Sequence, residues 1–157
     1  MKLFLVQHGD ALPKDLDPER SLSEKGRTNA QQLAIFLHPR HLQIAHVWHS
    51  GKTRARETAE IIATKLVPTV AVDATTGIDP MDDPEPFAQK LQRSAENIMV
   101  VGHLPFLARL ASRLVADDPE ADVVSFIPGS IACIEHVDDK WAVAWMLRPE
   151  LIPGSAT

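Results

Sequence analysis

Three short, mainly apolar runs each break off at a polar, chemistry-capable segment, and this pattern constrains the chain more than any other feature. Leu3 to Val6 gives way to Gln7-His8-Gly9-Asp10, Ala45 to Trp48 to His49-Ser50, and Ile98 to Val101 to Gly102-His103. Apolar runs this short, closed by such breaks, read as buried strands. In open α/β sheets, ligands bind outside the carboxyl ends of the strands, so the three segments are candidates for one shared site.

The stretches between these runs read as helices. Ser23 is placed to cap a helix whose apolar side includes Ala30, Leu33, Ala34 and Leu37, with Pro39 stopping it. Residues from about Lys52 to Leu66 put Ala55, Ala59, Ile62 and Leu66 on one side. Asp83-Pro84 opens a short helix carrying Phe87 and Leu91, and Pro105 sits in the first turn of another that runs through Leu114. Val70 to Val72 is a further short strand. Ser130 to Val137 and Trp141 to Met146 form a predicted hairpin around Asp138-Asp139-Lys140. Strands alternating with helices and then a hairpin imply an α/β layered domain with a mixed sheet.

With 157 residues, 45% of them apolar, the chain suits one domain over residues 1–150, followed by a short tail at 151–157. A formal charge of −5 with no basic run argues against nucleic acid as a partner. No stretch approaches membrane-spanning length, and the four-residue apolar start is too short for a signal-peptide core. The single cysteine, Cys133, excludes an internal disulfide, and a cytoplasmic location is the expectation.

Among the polar groups, Lys52, Arg54 and Arg56 fall in the first turns of the second helix, the end where the macrodipole favours negative charge. Cations there make sense if an anion is held, with backbone N–H groups helping. Lys52 and Arg56 also read as solvated surface charges. An imidazole held at one nitrogen by a backbone acceptor attacks phosphorus with the other, which suits His8; the alternative is a hydrogen-bonding or loop-capping role. His103 has the same choice, as a donor to a transferring phosphoryl group or as a structural histidine. The remaining histidines, His38, His41, His46, His49 and His136, show no zinc spacing, so no metal site is expected.

Several segments together resemble the histidine phosphatase superfamily, in particular its small SixA-like phosphohistidine phosphatase branch. They are Leu5-Val6-Gln7-His8-Gly9-Asp10-Ala11, Leu22-Ser23-Glu24-Lys25-Gly26, Ser50 to Ala59 with Arg54 in the phosphate-binding position, and Val100 to Pro105. The resemblance implies a three-layer α/β/α sandwich with a mixed, mostly parallel central sheet. It also implies a metal-independent phosphohydrolase without cofactor. His8 would accept the phosphoryl group, Arg54 would clamp its oxygens, and His103 would stabilise their developing charge. The small branch lacks a cap insertion, and such a shallow site suits phosphohistidine on a protein better than an enclosed small phosphorylated substrate.

One position departs from the family pattern. The motif usually begins Arg-His-Gly, and here Gln7 stands in the arginine's place. A carboxamide offers phosphate a hydrogen bond, but neither a charge nor a bidentate fork. Weak turnover, or phosphate binding without turnover, is therefore an alternative, as is hydrolysis of a small phosphate ester. Lys52 and Arg56 are the sequence candidates for replacing the charge. Asp10, Asp79, Asp82, Asp83 and Glu85 are candidates for a general acid, with no sequence signal to choose among them.

Overall fold

The computed structural model describes residues 1–157. Six strands form one sheet: β1 (Lys2–Gln7), β2 (His46–His49), β3 (Val72–Ala74), β4 (Ile98–Gly102), β5 (Ile131–Val137) and β6 (Lys140–Leu147). Their order is β3-β2-β4-β1-β5-β6. The first four run parallel, and β5 and β6 are antiparallel additions on the β1 side.

Helices α1 (Glu24–Leu37) and α2 (Thr53–Leu66) cover one face; α3 (Pro84–Gln92) and α4 (Phe106–Ala116) cover the other. The alternation of side chains along the strands decides which face each residue feeds. Leu3 and Leu5 join Ile98, Val100, Ala132 and Ile134 against α3 and α4. Phe4 and Val6 join Met99, Val101, Ile131 and Cys133 against α1 and α2. Apolar residues at consecutive positions are thus the signature of a strand covered on both sides. The result is the expected three-layer α/β/α sandwich, with a mixed and mostly parallel sheet.

Local chemistry sets the element ends. Ser23 accepts from the Gly26 backbone N–H at 3.1 Å and starts α1, while Asp83 accepts from the Glu85 N–H at 3.0 Å and starts α3. The hairpin loop is shorter than expected, because Lys140 pairs with Val137 and belongs to β6. Asp138 and Asp139 alone make the turn, with φ values of 51° and 59° that match the strands' twist. The third strand lies two residues later than the Val70–Val72 run. Register with β2 pairs Val72, Asp73 and Ala74 with Val47, Trp48 and His49, while Val70 closes a turn back to Val67.

The residues after 150 dock on the domain. Ile152 is buried with the α1–α2 side of the core, and the Asn29 carboxamide bonds both backbone groups of Ala156, at 2.7 and 3.3 Å. No inserted subdomain interrupts the layers; the longest connection is residues 8–23. No helix is long and apolar enough to cross a membrane.

Candidate active site

Because β4 lies between β1 and β2, the carboxyl ends of three adjacent parallel strands open onto one place. His8 follows β1, Ser50 follows β2 just before α2, and His103 follows β4. The structure brings together three of the residues picked from sequence. The His8 and His103 rings lie 5.0 Å apart, and Arg54 Nε points at His8 Nε2 from 3.4 Å.

Backbone contacts fix His8. Its N–H donates to the Gly102 carbonyl at 3.0 Å, and its own carbonyl accepts from the Gly129 N–H at 3.2 Å. His8 Nδ1 lies 2.7 Å from the Gly9 carbonyl, which has no proton to give. The Nδ1 hydrogen therefore belongs to that bond, and Nε2 keeps its lone pair facing Arg54. Arg54 is positioned from the same segment, since the Gly9 N–H donates to Thr58 Oγ1 at 3.0 Å and Thr58 donates to the Arg54 carbonyl at 2.7 Å. This bond chain ties β1's loop to the first turns of α2.

Burial, more than charge, keeps both imidazoles neutral. It is the main reason His8 falls from 6.5 to about 4; the Gly9 carbonyl and the Asp10 charge oppose the fall, and the Arg54 and Arg20 charges add to it. Burial also dominates at His103, pushed down to about 3, with further lowering from His8, Arg54, Lys52 and Arg20. Arg54 is lowered as well, by burial and then by Arg20. The site is thus a partly buried pocket of positive potential, with no carboxylate paired to Arg54 or Arg20.

Gln7 lies beside His8 in the chain, and its side chain is buried. Its Oε1 has no hydrogen-bond partner, and neither has His103 Nδ1. On the other side of that ring, His103 Nε2 is 2.6 Å from Ser50 Oγ, which also accepts from the Lys52 N–H at 3.3 Å. The two cations considered as replacements for an arginine at position 7 part company. Lys52 reaches the His103 side and lies 4.0 Å from Asp79. Arg56 is exposed, and its charge is felt at His49, away from the pair of imidazoles.

The carboxylates also sort themselves. Asp10 accepts from Ser23 Oγ at 2.5 Å, Asp82 from the Asp79 N–H at 2.8 Å, and Asp83 from the Glu85 N–H. Glu85 is gripped by Arg113 through two bonds. Asp79 alone among the carboxylates after β3 lies against a residue near the site, through Lys52. No three His, Cys, Asp or Glu side chains are grouped so as to hold a metal ion.

Two residues of the site escaped the sequence reading. Ser50 closes a strand with nothing in its sequence to give it a role, and Arg20 stands in a polar loop. A lone arginine in a surface loop has no periodicity or motif to mark it.

Comparison with known proteins agrees with this architecture. Residues 3–79 match the family model of the histidine phosphatase superfamily, branch 1. No curated protein matches the chain by sequence. Among solved structures, the protein histidine phosphatase SixA in complex with tungstate superposes with a TM-score of 0.83 at 24% identity, covering 96% of this chain and 99% of SixA. The alpha-ribazole phosphatase of Shigella flexneri gives 0.71 at 17% identity, covering 95% and 97% of the two chains. The phosphoserine phosphatase of Entamoeba histolytica, in complex with 3-phosphoglyceric acid, gives 0.70 at 15% identity, covering 92% and 95%. The family match covers just under half of the chain, and the likeness to these solved structures, at 15% to 24% identity, is one of fold.

Proposed function

We propose that this protein is a metal-independent phosphohydrolase that removes a phosphoryl group, preferentially from phosphohistidine on a protein, through a phosphohistidine intermediate on His8. The observation that carries the reading is the oriented imidazole. Nδ1 is committed to the Gly9 carbonyl, so the Nε2 lone pair faces the Arg54 guanidinium, next to a second buried imidazole.

In the first step Nε2 attacks phosphorus, and the bond from phosphorus to the substrate's imidazole nitrogen breaks. The substrate imidazole, already protonated from solvent at its other nitrogen, keeps the electron pair and departs neutral. Water then attacks the phosphorus on His8, the P–Nε2 bond breaks, and inorganic phosphate leaves with His8 restored. Arg54 holds the equatorial oxygens, and His103 stabilises their charge. With Nδ1 already bonded, the positive charge that phosphorylation places on the His8 ring is met by the Gly9 carbonyl.

The carboxylates support this choice of leaving group. Four of the five candidates, Asp10, Asp82, Asp83 and Glu85, are bonded within the protein, and Asp79 alone is left near Lys52, which makes the site poor in acids. An alkoxide needs a proton from the enzyme, whereas an imidazole leaves readily once it is itself protonated. The uncapped strand ends also leave room for a side chain presented on a protein surface. One observation favours a second reading, a phosphate-binding module with little turnover: Gln7 brings no charge to the arginine's place in the motif.

The test compares hydrolysis of a phosphohistidine protein, a phosphohistidine peptide and simple phosphate esters, in the presence of chelator. The proposal expects rates in that order and their loss in His8→Ala. Equal residual rates with and without His8 would sink it, and tight phosphate binding without turnover would establish the second reading.

A further inference from the structure

His8 and His103 are the same side chain put to different uses, and what separates the uses is which ring nitrogen carries the hydrogen. A neutral imidazole has one N–H donor and one lone pair, so the partner at one nitrogen decides what the other can do. At His8 the Gly9 carbonyl takes the Nδ1 hydrogen, and Nε2 is left as a lone pair. At His103 the positions are exchanged: Nε2 has a partner, Ser50, and Nδ1 has none.

Strand order creates that partnership. β2 and β4 pair in parallel with His49 opposite Val101, so Ser50 and His103 leave neighbouring strand ends together. The Ser50 hydroxyl lies 2.6 Å from His103 Nε2, and its oxygen accepts from the Lys52 N–H at 3.3 Å. The hydroxyl then has its own hydrogen to place, and Nε2 is the one acceptor it meets in the protein.

The reverse arrangement is the poorer one. An Nε2 hydrogen aimed at Ser50 would leave the hydroxyl hydrogen unmatched in the protein and a bare lone pair on Nδ1. His103 is only 2% exposed, so its free nitrogen is shielded from bulk water, and the ring is neutral at pH 7. The ring centres of His103 and the nucleophile His8 are 5.0 Å apart. A phosphoryl group on His8 presents acceptor oxygens, which a hydrogen on His103 Nδ1 can bond and a lone pair there would repel.

We propose that Ser50 is a positioning residue that sets the tautomer of His103. Its hydroxyl donates to Nε2, keeps the ring hydrogen on Nδ1, and so makes His103 an uncharged donor to the transferring phosphoryl group. The use of that donor rests on the phosphohydrolase reading, whereas the tautomer is a property of the free protein.

The tautomer is read without substrate, by long-range proton–nitrogen correlation NMR at pH 7 on protein with nitrogen-labelled histidine, the His103 signals being assigned from their loss in His103→Gln. In the wild type Nδ1 should show the shift of a protonated ring nitrogen and Nε2 that of a bare one. Ser50→Ala should give a mixture of tautomers, and Ser50→Thr, which keeps the hydroxyl, should restore the wild-type pattern; thermal melts confirm folding. A hydrogen on Nε2 in the wild type, or a tautomer unmoved in Ser50→Ala, would overturn the assignment. The same variants are then assayed on a phosphohistidine peptide. Ser50→Ala is expected to lower kcat about tenfold with KM within about twofold, because fewer molecules hold the competent tautomer, and Ser50→Thr to recover most of the rate. Full kcat in a Ser50→Ala protein whose tautomer has shifted would overturn the donor role and leave the His8 mechanism intact. Without turnover in the wild type the phosphohydrolase reading fails, and the NMR result alone decides the assignment of Ser50.

Discussion

Two polar loops leave the same edge of the sheet, residues 8–23 after β1 and residues 75–83 after β3. Both are rich in charge, and both contain candidates for catalysis. In the first, hydrogen bonds hold His8 and Arg20 by their roots: His8 is bonded at Nδ1 and meets only Arg54 at Nε2, and Arg20 is bonded at Nε and open at its terminal nitrogens. In the second most of the ends themselves are consumed, Asp79 near Lys52 excepted. Asp82 closes the loop on Asp79, Asp83 caps α3, and Glu85, one turn on, is locked to Arg113. Charge at the mouth of a sheet is therefore no guide to chemistry until the partner of each terminal atom is known.

The largest effect that tests this contrast is on turnover. His8→Ala is expected to lower the rate about a thousandfold or more, whereas Glu85→Gln should leave kcat within a few fold and lower only the melting temperature. A comparable loss of activity in both would erase the distinction between the loops.

Gly26 sharpens the comparison through stability. A Cβ there would lie 2.1 Å from the Asp10 carbonyl oxygen, so the first turn of α1 must stay bare for the loop after His8 to pass. Gly26→Ala is expected to destabilise by about 2–3 kcal/mol and to lower activity with it, measured by denaturant unfolding and kinetics on the same sample. Asp83→Ala removes only a cap and should cost about 1 kcal/mol, with activity retained.

A smaller, graded effect follows from the two lowered imidazoles. Unfolded, each titrates near 6.5; folded, they titrate at about 4 and about 3. Below pH 6.5 the unfolded chain takes up more protons, so this contribution to stability is complete above that pH and is lost as pH falls toward 4 and below. Melting temperature should therefore decline on acidification from 6.5 to 4, and less steeply in His103→Gln. The neutral nucleophile also means that His8 protonation should not reduce kcat/KM between pH 7 and 5, where an ordinary histidine would lose most of its free form.

Much of this was legible in the sequence for identifiable reasons. The runs at β1 and β4 are covered on both faces, so their apolar character is continuous and ends sharply where His8 and His103 begin. Ser23 and Asp83 announce helix starts because a cap is a local event. The third strand slipped by two residues because it is a half-exposed edge, where register with β2 rather than burial decides the pairing. The convergence of His8, Arg54 and His103 depended on strand order, which no local pattern encodes. Arg20 and the Ser50–His103 contact were beyond reach for the same reason: each is a long-range meeting of side chains whose local sequences are unremarkable as loops.

The central claim is that His8 Nε2 becomes covalently phosphorylated. The direct measurement is to mix the protein with a phosphoramidate donor, quench in alkali to preserve the P–N bond, and locate the phosphoryl group by peptide mass spectrometry and phosphorus NMR. The account expects the label on His8 at Nε2, appearing before free phosphate and absent from His8→Ala. Steady hydrolysis with no label on His8, continuing unchanged in His8→Ala, would contradict it.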